Sequence, residues 1–141
     1  MHFRIPVSFN VITEYKGITM IGYVTVGTND LERAAKFYDQ VLAVVGGKRG
    51  MAADRFISWV GPAGGPMLMA MKPFDGNAAT VGNGVMVAFA AETNEIVDAV
   101  YKAALDAGGT DEGAPGERGP GVYAGYFRDM DGNKLNAIHF G

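Results

Sequence analysis

Ile21-Gly22-Tyr23-Val24-Thr25-Val26, followed by Asn29-Asp30-Leu31-Glu32-Arg33, is the stretch that decides the fold, because its pattern occurs twice in the chain. The first six residues form a β-branched run that favours strand. Asn29 is placed to cap a helix, and Glu32 three residues on completes a capping box. Leu31, Ala34, Ala35, Tyr38, Val41, Leu42 and Val45 then recur at helical spacing on one face. Gly46-Gly47 ends the helix. Short strands follow at Lys48 to Met51, Arg55 to Val60 and Met67 to Lys72, with Gly61-Pro62-Ala63-Gly64-Gly65-Pro66 turning between the last two.

The same order returns downstream. Val85-Met86-Val87-Ala88-Phe89-Ala90 matches the opening strand, and Thr93 is the cap of a helix whose apolar stripe is Val97, Val100, Tyr101, Ala104 and Leu105. Gly108-Gly109 stops that helix. Asp111 to Gly121 reads as a glycine-rich loop leading into a strand from Val122 to Arg128. Asp129-Met130-Asp131-Gly132-Asn133 is a tight turn, and Lys134 to Phe140 is the closing strand. The fold class is therefore α+β: one domain over 20–141, made of βαβββ modules at 20–76 and 83–141. Two such half-sheets can face each other around a cavity. Residues 1–19 precede the domain. Phe3, Ile5, Val7, Phe9 and Val11 alternate with more polar residues, and Pro6 confines such a strand to an edge. The other reading of 1–19 is an upstream start, with Met20 opening the domain proper. The segment lacks the apolar region and small-residue cleavage site of a signal peptide.

Composition narrows the function. The formal charge of −3 gives no basic footprint, so nucleic acid is not an expected partner. No apolar run approaches the roughly 18–20 residues of a membrane-spanning helix. With no cysteine, disulfides, thiolate catalysis and thiolate metal sites are excluded, which suits a cytoplasmic protein. Gly119-Pro120-Gly121 is a turn and not a phosphate loop, since no strand–GxxxxGK–helix context surrounds it. No serine or threonine has a histidine beside it to activate it.

Met20-Ile21-Gly22-Tyr23-Val24-Thr25-Val26, Asn29-Asp30-Leu31-Glu32-Arg33 and Phe37-Tyr38 together resemble the opening of the vicinal oxygen chelate superfamily. That group includes glyoxalases, bleomycin-resistance proteins, fosfomycin-resistance enzymes and extradiol dioxygenases. Gly82-Asn83-Gly84, Val87-Ala88-Phe89, Gly108 to Gly113 and Tyr126 to Asn133 resemble its glyoxalase-like branch. The resemblance covers residues 20–141. It implies a cup-shaped mixed sheet with a central cavity. In the family's metalloenzymes, a His, Glu or Gln from the first and last strand of each half holds a divalent ion.

Those positions carry other residues here. The opening-strand ligand falls on Tyr23, its second-half counterpart on Met86, and the closing-strand glutamate on Asn136, while Gly61 to Phe74 contains no His, Asp, Glu or Gln. Thioether, neutral phenol and amide are poor donors for a hard cation. No cofactor and no family-type metal site are therefore expected. His2 lies in the extension, and strand alternation points His139 away from the Asn136 face.

With the Asn136 face inward, as the resemblance implies, the expected cavity residues are Tyr23, Thr25, Trp59, Met69, Met86, Ala88, Tyr126, Arg128 and Asn136. A three-residue turn places Tyr126 opposite Asn136, with Arg128 and Lys134 nearer the mouth. Arg118 is a candidate clamp for an anion, and Asp111-Glu112 are adjacent carboxylates that extended backbone turns apart. The expected function is binding of a small, partly aromatic organic molecule without metal, in a homodimer of the kind usual in the bleomycin-resistance branch. The alternative is a lactoylglutathione-lyase-like or other lyase, isomerase or dioxygenase-type enzyme with an unconventional site. Its catalytic candidates are Tyr23, Tyr126 and Arg128.

Overall fold

The computed structural model describes residues 20–141, so the edge strand expected within 1–19 lies outside the described residues. In chain order the elements are β1 (Tyr23–Gly27), α1 (Leu31–Ala43), β2 (Lys48–Ala52), β3 (Phe56–Gly61) and β4 (Gly64–Met71), then β5 (Val87–Ala90), α2 (Asn94–Asp106), β6 (Thr110–Glu117), β7 (Val122–Arg128) and β8 (Lys134–Phe140). They form two four-stranded mixed sheets, β1-β4-β3-β2 and β5-β8-β7-β6. In each, the first strand of the module pairs parallel with the last, and the remaining neighbours are antiparallel. The duplication is therefore exact in connectivity.

Local sequence explains most of these elements. The apolar stripe of α1 buries Ala34, Ala35, Phe37, Tyr38, Val41 and Leu42, and that of α2 buries Val97, Val100 and Ala104. The helices pack against each other behind the sheets. Val26, Trp59, Leu68 and Ala70 from one sheet join Phe89, Phe127, Leu135 and Ala137 from the other in a single core. Thr93 caps α2 through its hydroxyl, which accepts from the Ile96 amide.

Three local readings change. The cap of α1 is Asp30, whose carboxylate accepts from the Arg33 amide, and not Asn29. Aspartate and asparagine cap about equally well, so the decision is tertiary. The Asn29 amide makes a two-way pair with the backbone of Ala79, accepting from its N–H at 2.7 Å and donating to its carbonyl at 3.3 Å. A carboxylate cannot make both bonds. Second, β6 occupies most of the stretch that reads as a loop. Its glycines and proline have low strand propensity, but it is an edge strand whose register against β7 shifts at Gly113 and Gly116. At Gly113 a side chain would sit 3.3 Å from the Tyr126 ring. Third, β5 begins at Val87, so Met86 precedes the strand.

The turn between β7 and β8 joins the modules. The Asp129 carboxylate accepts from the Tyr38 hydroxyl at 2.5 Å, from the amides of Asp131 and Asn133, and from the Asn133 side chain. Asn133 also donates to the Gly27 carbonyl at the end of β1. Asp131 accepts from the Thr28 hydroxyl, the Asn29 amide and the Arg33 guanidinium. Tyr38 is fully buried and Asp129 nearly so. Burial, and then the neighbouring Asp129 carboxylate, push the Tyr38 phenol well above its ordinary pKa.

Candidate functional site

Strand register sorts every side chain to one of two faces. In the first sheet Tyr23 lies beside Met67, Thr25 beside Met69, and Ser58 across from Met69. In the second, Ala88 lies beside Asn136, Asn136 across from Tyr126, and Lys134 across from Arg128. This is the face turned away from the helices. Met69 and Ala124 are buried on it, yet neither belongs to the core cluster behind the sheets. Near the sheet edges the face is open. Tyr23 is 58% exposed, Met86 41% and Val85 64%.

By register Tyr23, Thr25 and Met69 stand on the open face of the first sheet, and Ala88, Tyr126, Arg128 and Asn136 on that of the second. Met86 borders a cavity of about 460 Å³ with Val81, Val85, Arg128 and Lys134. Trp59 stands on the other face. It pairs with Leu68 among the core residues, its ring lies 5.4 Å from that of Tyr38, and its indole N–H donates to Asp39 at 2.9 Å. There it borders an apolar crevice of about 350 Å³ with Leu42, Leu68 and Phe89. Asp39 in turn takes both nitrogens of the Arg49 fork, and that pairing holds its carboxyl below the ordinary value.

Register also supplies the position that sequence could not. Thr25 and Ala88 are equivalent strand residues, so their partners Met69 and Asn136 are equivalent too. Asn136 is 1% exposed, and its side-chain oxygen has no hydrogen-bond partner among the described residues. A buried carbonyl in that condition forfeits its hydration without replacement. Around it Tyr126 is flanked by two cations, the Arg118 guanidinium 5.5 Å and the Lys134 ammonium 5.7 Å from the ring centre. Arg118 also donates to the carbonyls of Ala114 and Glu117. Arg128 is held by Glu112 and donates to the Gly132 carbonyl at 2.8 Å.

The other polar candidates are engaged elsewhere. Asp111 accepts from the Tyr101 hydroxyl, chiefly that bond holding its carboxyl below the ordinary range, while Glu112 turns to Arg128. The two carboxylates therefore do not form an acid–base pair. His139 lies opposite Tyr123, with its Nδ1 2.9 Å from the Ala91 carbonyl, away from the Asn136 face.

The family model for the glyoxalase/bleomycin resistance protein/dioxygenase superfamily matches residues 20–137. The chain belongs to that superfamily. A solved glyoxalase/bleomycin resistance protein from Albidiferax ferrireducens is 40% identical, with a TM-score of 0.79 over 86% of this chain and 98% of that one. A glyoxalase/bleomycin resistance protein/dioxygenase family enzyme from Burkholderia phytofirmans (18% identity, TM-score 0.69, 85% and 98% covered) shares the fold. So does a lactoylglutathione lyase from Agrobacterium tumefaciens (18% identity, TM-score 0.64, 85% and 92% covered). No curated protein matches the chain.

The positions to which the resemblance assigns metal ligands carry Tyr23, Met86 and Asn136, and the strand equivalence adds Met69. That set of one phenol, two thioethers and one amide does not suit a divalent ion, which takes imidazole and carboxylate donors. Among the described residues no group of three or more His, Asp or Glu is placed to hold a metal. No helix among them is long and apolar enough to cross a membrane.

What sequence reading missed is the latch of Asp129 and Asp131. The signal was present in the spacing Asp-x-Asp-Gly-Asn, but as a turn signature it gives no hint of the Tyr38 and Thr28 partners far off in the chain.

Proposed function

We propose that the open face carrying Asn136 binds a small, partly aromatic organic molecule directly, without a metal ion. The observation that carries this reading is the buried side-chain oxygen of Asn136, which has no hydrogen-bond partner among the described residues and lies between Ala88 and Tyr126 in register. A ligand donor reaching that oxygen recovers a hydrogen bond, while its apolar body covers thioethers and rings that adapt in shape. Arg128 is committed to Glu112 and Gly132, which leaves it poorly placed to activate Tyr126 in the manner a tyrosine-based enzyme requires. We place the protein in the cytoplasm as a homodimer, the exposed Tyr23, Val85 and Met86 lying where a second subunit completes the crevice.

Three measurements test the reading. After incubation with nickel, zinc, manganese or iron(II) and desalting, elemental analysis is expected to find far less than one equivalent of metal per chain; a value near one overturns it. Asn136→Leu is expected to leave the unliganded protein as stable or up to about 1 kcal/mol more stable, since an unpaired buried polar group is replaced by an apolar one of similar volume. The same change is expected to weaken hits from a thermal-shift screen of aromatic molecules by about five- to tenfold, the value of one hydrogen bond. Undiminished affinity removes Asn136 from the site.

A further inference from the structure

We infer that the ligand of this face is an organic anion: an apolar, partly aromatic body bearing one carboxylate or sulfonate group. The inference rests on the small-molecule reading of the same face and specifies its ligand. Charge is divided sharply across the fold. The chain has 15 acidic residues and a net charge of −3. On the open face of the second sheet, however, Arg118, Arg128 and Lys134 are answered among the described residues by a single carboxylate, Glu112. Register turns Asp111 and Glu117 to the helix side, across from Phe127 and Tyr123. The matching face of the first sheet carries no charge along β1, β3 and β4, where it presents Tyr23, Thr25, Phe56, Ser58, Met67, Met69 and Met71.

The cations differ in what holds them. Glu112 neutralises Arg128. Among the described residues Arg118 has only backbone carbonyls as hydrogen-bond partners, and Lys134 has no hydrogen-bond or carboxylate partner. Both stand over the ring of Tyr126, which pairs with Asn136, and Lys134 lies two residues before Asn136 on β8 and borders the 460 Å³ cavity beside Val85 and Met86. An unneutralised, half-buried ammonium beside an apolar cavity attracts an anion and gains from pairing with it. The anionic head is thus placed at Lys134 and Arg118, and the apolar body over Val85 and Met86 in the cavity that Lys134 borders. A neutral ligand would leave both charges unanswered.

A matched pair of fluorescent probes tests this: 8-anilinonaphthalene-1-sulfonate and N-phenyl-1-naphthylamine, which has the same aromatic skeleton without the sulfonate. The anion is expected to bind the native protein at least about tenfold more tightly than the neutral probe, the value of one charge-assisted hydrogen bond. That preference is expected to fall to near unity in Lys134→Met with Arg118→Met, to shrink with added salt, and to survive in Lys36→Met, which removes an exposed charge from α1. Equal affinities, or a preference unchanged in the double variant, overturn the anion assignment while leaving the small-molecule reading intact. Failure of both probes to bind overturns the small-molecule reading itself, and the anion assignment with it.

Discussion

Replacing Asp129 with alanine is expected to lower the stability of the fold by about 3–4 kcal/mol, the sum of a lost charged hydrogen bond and the donors it strands. Its carboxylate answers the Tyr38 hydroxyl, two turn amides and the Asn133 side chain, and through Asn133 it reaches β1. The variant leaves a fully buried phenol without an acceptor and frees the turn that holds the modules together. Tyr38→Phe removes the donor along with the need for it and is expected to cost only about 1–2 kcal/mol. Chemical denaturation of both single variants and the double variant gives the coupling. An Asp129→Ala loss below about 1 kcal/mol would mean that the latch is incidental.

The same pair gives a pH signature. In the folded state burial and Asp129 raise the Tyr38 pKa well above the ordinary value near 10. The folded protein therefore keeps a proton that the unfolded chain has already lost. Stability from this source is complete below about pH 10 and declines as pH rises through the folded value. Tyr38→Phe should flatten the alkaline limb of the stability curve; an unchanged slope would show that other groups set it.

Trp59→Ala is the second large effect, expected at about 3–5 kcal/mol for loss of a buried aromatic and the space it leaves. Trp59 is 2% exposed, packs on Tyr38, and donates to Asp39 within the Arg49 pair. Because it lies behind the sheet, the folded fraction of the variant is expected to bind ligand with unchanged affinity. Denaturation and equilibrium binding on the same preparation separate the two roles. A variant of near-native stability but impaired binding would return Trp59 to the ligand site.

Trp59 also shows where sequence reading stopped. An aromatic in a short strand advertises burial, but strand alternation offers two faces, and β3 has no internal signal for which one meets the helices. For β7 and β8 the turn fixed the register, so Tyr126 was placed opposite Asn136 from sequence and the structure agrees. No such turn links β1 to β4: their parallel pairing spans the whole module, and Met69 became the partner of Thr25 only in three dimensions. The β6 segment was misread for another reason. Its glycine-rich composition disfavours strand locally, and pairing with β7 overrides it.

By itself the sequence determined the two βαβββ modules and the helix stripes, because each is encoded by spacing within a few turns or strands. It could not determine the cap of α1, the Tyr38–Asp129 latch, the orphaned oxygen of Asn136 or the cations on either side of Tyr126. The cap and the latch depend on groups that meet across 50 and 91 residues, the cations on how neighbouring strands bring side chains over one ring, and the Asn136 oxygen on whether a partner is present. A residue's own neighbours state what it can offer; only the packed structure decides whether the offer is taken up.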